Sequence, residues 1–217
     1  MSSKKENIRL SVLIPVWNQE ELVIKALDHL PRRDDMEVIV RNDGSTDKTL
    51  ENLKAYKKEH PELNLTIVSN KGNKGVAYTK NRMLESCHGE YVHFHDSDDY
   101  AITNVYNQIV TDCLDGKADI VCMDLEINDG SHLSVNEHSK RGYCAQIARF
   151  IRREFIGDIR FPEEVKAGDD WFFAEALLEK DPVSIYTNIS GYHYNFPRWG
   201  SLFNLQSRGL IPPIDTK

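Results

Sequence analysis

The chain has 217 residues, 40% hydrophobic and 28% charged, with a net charge of −7. This suits one soluble domain with a substantial core and gives no general attraction to nucleic acid or anionic membrane. No apolar run is long enough for a membrane span.

The predicted elements alternate from the start. "IRLSVLIPV" (8–16) is a continuous apolar run suited to a strand buried on both faces, and "EELVIKALDHL" (20–30) follows with apolar residues at helical spacing. "MEVIVRN" (36–42) is the second strand, and "TDKTLENLKAYKKEH" is an amphipathic helix stopped by Pro61. "LNLTIVS" (63–69) reads as a strand, "GVAYTKNRMLESC" (75–87) as a helix, and "EYVHFH" (90–95) as the fourth strand. Another helix leads to "ADIVCMDLEI" (118–127). Such alternation predicts a parallel sheet with helices on both faces, which binds ligands outside the carboxyl ends of its strands. Beyond it lie a polar loop (128–142), a predicted helix over "CAQIARFIRREF", a helix starting near Asp169, a strand over "ISGYHYN" (189–195) and an irregular tail. No linker divides the chain.

Polar residues collect after each early strand: Trp17 and Asn18, then "NDGSTD", then "SNKGNKG", then "HDSDD". In "NDGSTD" the Asp-Gly pair supplies a turn, Ser45 or Thr46 can cap the next helix, and Asp43 can accept a hydrogen bond from an imide N–H such as that of uracil. "NKGNKG" has the look of an anion cradle, or of a plain glycine-capped surface loop. Asp96, Asp98 and Asp99 form either a solvated acidic turn or a site for Mn²⁺ or Mg²⁺, which prefer carboxylate oxygens completed by substrate phosphates. In "AGDDWFF", Asp169 or Asp170 is a helix cap or a base carboxylate beside apolar neighbours. His193, alone among tyrosines, is a packed strand residue or a metal ligand.

The N-terminus "MSSKKENIRL" is charged and has no signal-peptide core. The scattered cysteines Cys87, Cys113, Cys122 and Cys144 form no CxxC pair and read as reduced structural thiols. Both features lead to the expectation of a cytoplasmic protein that meets any membrane peripherally.

In order and spacing, "SVLIPVWNQEE", "VIVRNDGSTD", "NKGNKGVAYTKN", "GEYVHFHDSDD" and "GDDWFF" together resemble the family 2 glycosyltransferases, over roughly residues 8 to 195. The resemblance implies an α/β GT-A fold: a Rossmann-like, mostly parallel central sheet with helices on both faces. It implies a single domain over 1–217, with a nucleotide-sugar-binding half (1–127), an acceptor and catalytic half (128–195) and a C-terminal tail (196–217). The implied reaction is metal-dependent, inverting transfer from a nucleotide diphosphate sugar, a UDP-sugar being favoured, to a hydroxyl acceptor. That acceptor is a glycan, a lipid-linked glycan, a protein or a modified nucleobase. The rival readings are a catalytically silent nucleotide- or glycan-binding module and another metal-dependent phosphate-transfer enzyme with a DxD.

Carried over residue by residue, the resemblance assigns donor binding to Pro15, Val16, Trp17, Asn18, Asp43, Asn70, Gly75, Lys80, Asp96 and Ser97, and to Arg198 and Ser201 of the tail. Asp98 and Asp96 become the DxD ligands of Mn²⁺ or Mg²⁺, with His193 as a further ligand. Asp170, or its neighbour Asp169, becomes the catalytic base. Three positions depart from the family pattern. Lys80 stands where arginine is usual, Asn42 replaces an aspartate, and Asp169 replaces a glutamate.

Overall fold

The computed structural model describes residues 8–136, 146–165 and 168–196. Its strands are β1 (Leu10–Val16), β2 (Met36–Asn42), β3 (Leu65–Ser69), β4 (Tyr91–Phe94), β5 (Tyr100–Ala101), β6 (Ile120–Ile127), β7 (His132–Leu133), β8 (Arg149–Arg152) and β9 (Ser184–Tyr194). The helices are α1 (Leu22–Asp28), α2 (Thr49–Glu59), α3 (Val76–Leu84), α4 (Thr103–Cys113), α5 (Arg153–Ile156) and α6 (Asp169–Leu178). One sheet runs in the order β3-β2-β1-β4-β8-β6-β9-β5, with β7 paired to β6. By their pairings β1, β2, β3, β4, β6 and β9 share one direction, and β5, β7 and β8 oppose it.

β1 is central because its whole apolar run is buried: Leu10, Val12, Leu13 and Ile14 are all fully inaccessible. The chain winds outward from β1 to β3 and then returns to place β4 on the other side of β1. Right-handed crossovers therefore put α1 and α2 on one face and α3 on the other. The order reverses between β1 and β4, so a crevice opens where their carboxyl ends separate. The turns starting at Trp17 and His95 flank it.

The helix expected over "CAQIARFIRREF" is corrected. The described part of that segment holds β8 and the short α5. β8 lies antiparallel between β4 and β6, and Phe150 and Ile151, on its two faces, are both fully buried. A short apolar run fits a helix face and a doubly buried strand equally well, and here the gap between two parallel strands decides. β9 also begins earlier than the residue-189 start expected, and it shifts register against β6 near Asp124. Cys144, the tail beyond Phe196 and most of the second half of the polar loop lie outside the described residues.

Candidate active site

Turns after β1 and β2 form the first wall. Val16 is buried, whereas Trp17 is 51% exposed and offers a free aromatic face. Asn18, at φ 52°, ties the two turns together: its N–H donates to Ser45 Oγ at 2.9 Å and its Oδ1 accepts from Thr46 N at 2.8 Å. Ser45 is thus committed here, and Asp47, through Oδ1, accepts from Thr49 N at 3.0 Å at the start of α2. Pro15, half-buried, lies opposite Arg41 in the sheet register.

The anion expected in the "NKGNKG" cradle is the protein's own Asp43. Its Oδ1 accepts from Asn70 Nδ2 and Lys74 N, both at 2.8 Å, and its Oδ2 from Gly75 N at 2.9 Å. These bonds occupy three of the carboxylate's roughly four acceptor positions. Asn70 is fixed in turn, its Oδ1 accepting from Arg41 Nε at 2.8 Å. The loop packs so closely that a Cβ at Gly44, whose φ is 70°, would sit 2.4 Å from the Gly72 carbonyl carbon. Asp43 is therefore a loop clamp before it is a base reader.

The turn after β4 brings carboxylate oxygens of Asp96, Asp98 and Asp99 within 4.8 Å of one another. Burial pushes the Asp96 carboxyl up to about 7; Lys80 opposes this, and Asp98, Asp170 and Asp169 add to it. Burial, with Asp96 and Asp98 beside it, also raises Asp99 well above the usual carboxylate range. Asp99 Oδ2 is buried without a hydrogen-bond partner among the described residues. Three crowded carboxylates with an unsatisfied oxygen are a donor set that a hard divalent cation fits, since it supplies the missing positive charge. Ser97 is buried within the turn. Behind it His93 and His95 are fully buried, and burial lowers their pKa values to about 3 and about 4, so they are neutral packing residues. His95 Nδ1 donates to the Asp96 carbonyl at 2.9 Å, which steadies the turn from below.

Across the crevice, Lys80 of α3 is 3% exposed. Its ammonium donates to Asp170 Oδ1 and, at 3.3 Å, to Asp169 Oδ2, and it lies 4.8 Å from the Phe161 ring centre. Burial works against its charge, but Asp170, Asp169 and Asp96 outweigh that cost and hold its pKa above the usual value. Gly168, at φ 83°, occupies the N-cap of α6, so neither acid is the cap; both lie in the first turn. About 100° of helical rotation separates them. The Asp169 side chain is 11% exposed and that of Asp170 is 42% exposed, so Asp170 is the more accessible acid of the pair. Burial also raises Asp169, with Lys80 opposing.

His193 is not brought into the acid cluster, and its expected ligand role is corrected. Alternation along β9 turns Tyr192 and His193 to opposite faces. The Tyr192 hydroxyl accepts from Asp96 N at 3.1 Å, while the His193 ring contacts Glu126 and Asn128. The resemblance carried over Asp96 and Asp98 as ligands but not Asp99, and the sequence assigned no role to Tyr192 or to Gln146, whose Nε2 donates to the Asp170 carbonyl at 3.2 Å. Asp99 carried a signal, being a third acid in the same turn; Tyr192 and Gln146 carried none. Arg198 and Ser201 lie outside the described residues.

Comparison with known proteins adds a family and a fold. The family described as "Glycosyl transferase family 2" matches residues 11–174. The chain is 26% identical over 212 residues to the poly(ribitol-phosphate) beta-N-acetylglucosaminyltransferase TarS of Staphylococcus aureus, covering 89% of this chain and 36% of that protein. It is 25% identical over 223 residues to the minor teichoic acid biosynthesis protein GgaB of Bacillus subtilis, covering 93% of this chain and 24% of that protein. It thus spans about a third or less of these relatives' length. The S. aureus TarS 1–349 crystal structure in complex with UDP-GlcNAc shares the fold at a TM-score of 0.75 and 24% identity, over 88% of this chain and 59% of that one. The mannosyltransferase PcManGT from Pyrobaculum calidifontis, in complex with GDP-Man and Mn²⁺, does so at 0.69 and 22%, over 90% and 59%.

Proposed function

Because the chain belongs to glycosyltransferase family 2, we propose that it transfers a sugar from a UDP-sugar to an acceptor hydroxyl, with inversion and with the help of Mn²⁺ or Mg²⁺. One observation carries this reading: the Asp96–Asp98–Asp99 turn after β4 lies close enough to the Lys80–Asp169–Asp170 group for Asp96 to act on Lys80 and on both acids. The UDP-GlcNAc named with the TarS structure supports uridine as the base, and the Mn²⁺ named with PcManGT supports a cation. The free thiols Cys87, Cys113 and Cys122 support a cytoplasmic site of action.

Trp17 supplies a stacking face for the nucleobase, and the remaining acceptor position of Asp43 is available to the uracil N–H. Asp96, Asp98 and Asp99 would hold the cation, which when bound offsets negative charge on the diphosphate leaving group. Lys80 adds a fixed positive charge next to the phosphates and orients the base. Asp170 takes the proton of the acceptor hydroxyl as the acceptor oxygen bonds to the anomeric carbon. The bond from that carbon to the diphosphate oxygen breaks, and UDP leaves with the electron pair.

Incubation with a panel of UDP-sugars, hydroxyl acceptors and Mn²⁺, read as UDP release and product mass, tests the proposal. Acceptor-dependent UDP release is the expected result. Binding of UDP without release across the panel would instead favour a silent binding module, and preference for another nucleotide would overturn the uridine assignment.

A further inference from the structure

His193 is 8% exposed in β9, where it pairs in register with Tyr100 of β5, and the two rings stack with centres 4.3 Å apart at 12°. Its Nδ1 lies 3.0 Å from Glu126 Oε1 and its Nε2 3.0 Å from Asn128 Oδ1. From Asn128 a chain of hydrogen bonds continues: Asn128 Nδ2 donates to Asn195 Oδ1 at 3.0 Å, and Asn195 Nδ2 donates to the Asp98 carbonyl at 3.2 Å. Asn195 N also donates to Asp99 Oδ1 at 2.8 Å. The chain ends on two members of the acid cluster.

Its direction is set from that far end. A backbone carbonyl only accepts, so the Asn195 amide nitrogen faces Asp98 and the Asn195 oxygen faces Asn128. Asn128 must then donate to Asn195, leaving its own oxygen toward His193. At the other ring nitrogen the Glu126 carboxylate accepts as well. Both ring nitrogens of His193 therefore meet acceptors, an arrangement that only the doubly protonated ring satisfies in full. The surroundings agree. Glu126 of β6 supplies negative charge, and the Tyr100 ring of β5 gives a face suited to a cation. Beyond Tyr100, and not against His193, lie Lys25, 4.4 Å from the ring centre, and His29, at 4.6 Å.

We propose that His193 is a positioning residue that, through Asn128 and Asn195, holds the Asp98–Asp99 turn in its cation-binding shape. This rests on the reading of that turn as the cation site. Loss of the Nε2 proton sets acceptor against acceptor at Asn128. An amide flip there moves the mismatch to Asn195, and a second flip moves it to the Asp98 carbonyl. No arrangement of the two amides then satisfies every link.

The test uses the full chain, with Mn²⁺ and UDP as probes. ¹⁵N-histidine NMR, with the His193 signals assigned by their loss in His193→Gln, is expected to show a proton on Nε2, the nitrogen that faces Asn128. Calorimetric titration of Mn²⁺ in the presence of UDP is expected to lose about tenfold or more in affinity for His193→Gln, as for other partners that orient metal ligands. Asn128→Ala changes an exposed side chain and keeps the test open if the histidine variant folds poorly; it is expected to weaken Mn²⁺ in the same direction. A ring protonated only at Nδ1 would overturn the proposal, as would an Asn128→Ala protein with wild-type Mn²⁺ affinity. An Nε2-protonated ring in a wild-type protein that binds no Mn²⁺ with UDP would sustain the hydrogen-bond chain, but it would overturn both its coupling to a cation and the parent reading.

Discussion

Asp169 and Asp170 have the same side chain and both pair with Lys80, yet the first is buried and the second is accessible. Asp170→Asn keeps the shape and removes proton acceptance, so kcat should fall about 10²-fold or more with donor affinity retained. Asp169→Asn should lower thermal stability and leave kcat largely in place, because it changes the buried one of the two carboxylates that pair with Lys80. Steady-state kinetics alongside calorimetry separates the two, and the reverse pattern would exchange the roles. Asp96 gives a pH prediction. Its carboxyl titrates near 7 in the fold instead of near 3.8, so the native protein holds a proton that the unfolded chain releases. The fold loses stability through this group as pH rises from about 4 to about 7, and that loss is complete above it. A cation needs the ionised form, so Mn²⁺ should raise the melting temperature more at pH 8 than at pH 6; equal shifts would contradict the assignment. Both acid groups were legible in the sequence because each stands at an element end, one after the fourth strand run and the other at a helix start. Which acid of the pair is the accessible one was not legible, since helix phase after Gly168 decides it. Nor was the partner of His193, which depends on pairing between distant strands.

At the scale of elements, the alternating half of the fold could be read from apolar runs and turn residues, and β1 to β4 stand where those signals put them. β8 could not, because its partners β4 and β6 are distant in sequence and its apolar spacing also suits a helix. Its centrality has a measurable consequence. Phe150 is fully buried in a strand between two others, so Phe150→Ala should cost about 3–5 kcal/mol, seen as a lower denaturation midpoint. A loss well under 1 kcal/mol would mean that β8 is peripheral. The loop held by Asp43 makes a second case. Gly44→Ala combines a positive φ with a close approach to Gly72 backbone, and it should weaken UDP binding as well as stability, because the same loop holds the Asp43 carboxylate. A variant that melts lower but binds UDP normally would separate the clamp from the site.

At the scale of the whole molecule, a mostly parallel sheet gathers residues from β1, β2, α3, β4 and α6 at the point where strand order reverses. That convergence explains how acids about 70 positions apart, at Asp96 and Asp170, come to share one electrostatic field. It also explains why the turns after β1, β2 and β4 could be anticipated from strand order, whereas β8 and the register of β9 had to be seen folded. The central claim is that the crevice is a cation-assisted site for a nucleoside diphosphate. The most direct measurement is calorimetry of UDP binding with Mn²⁺ and with chelator, on the wild type and on Asp98→Asn. UDP should bind at least about tenfold more tightly with Mn²⁺, because a diphosphate beside the acid turn is repelled without it, and Asp98→Asn should remove most of that gain. Equal affinity with Mn²⁺ and with chelator in the wild type would contradict the claim.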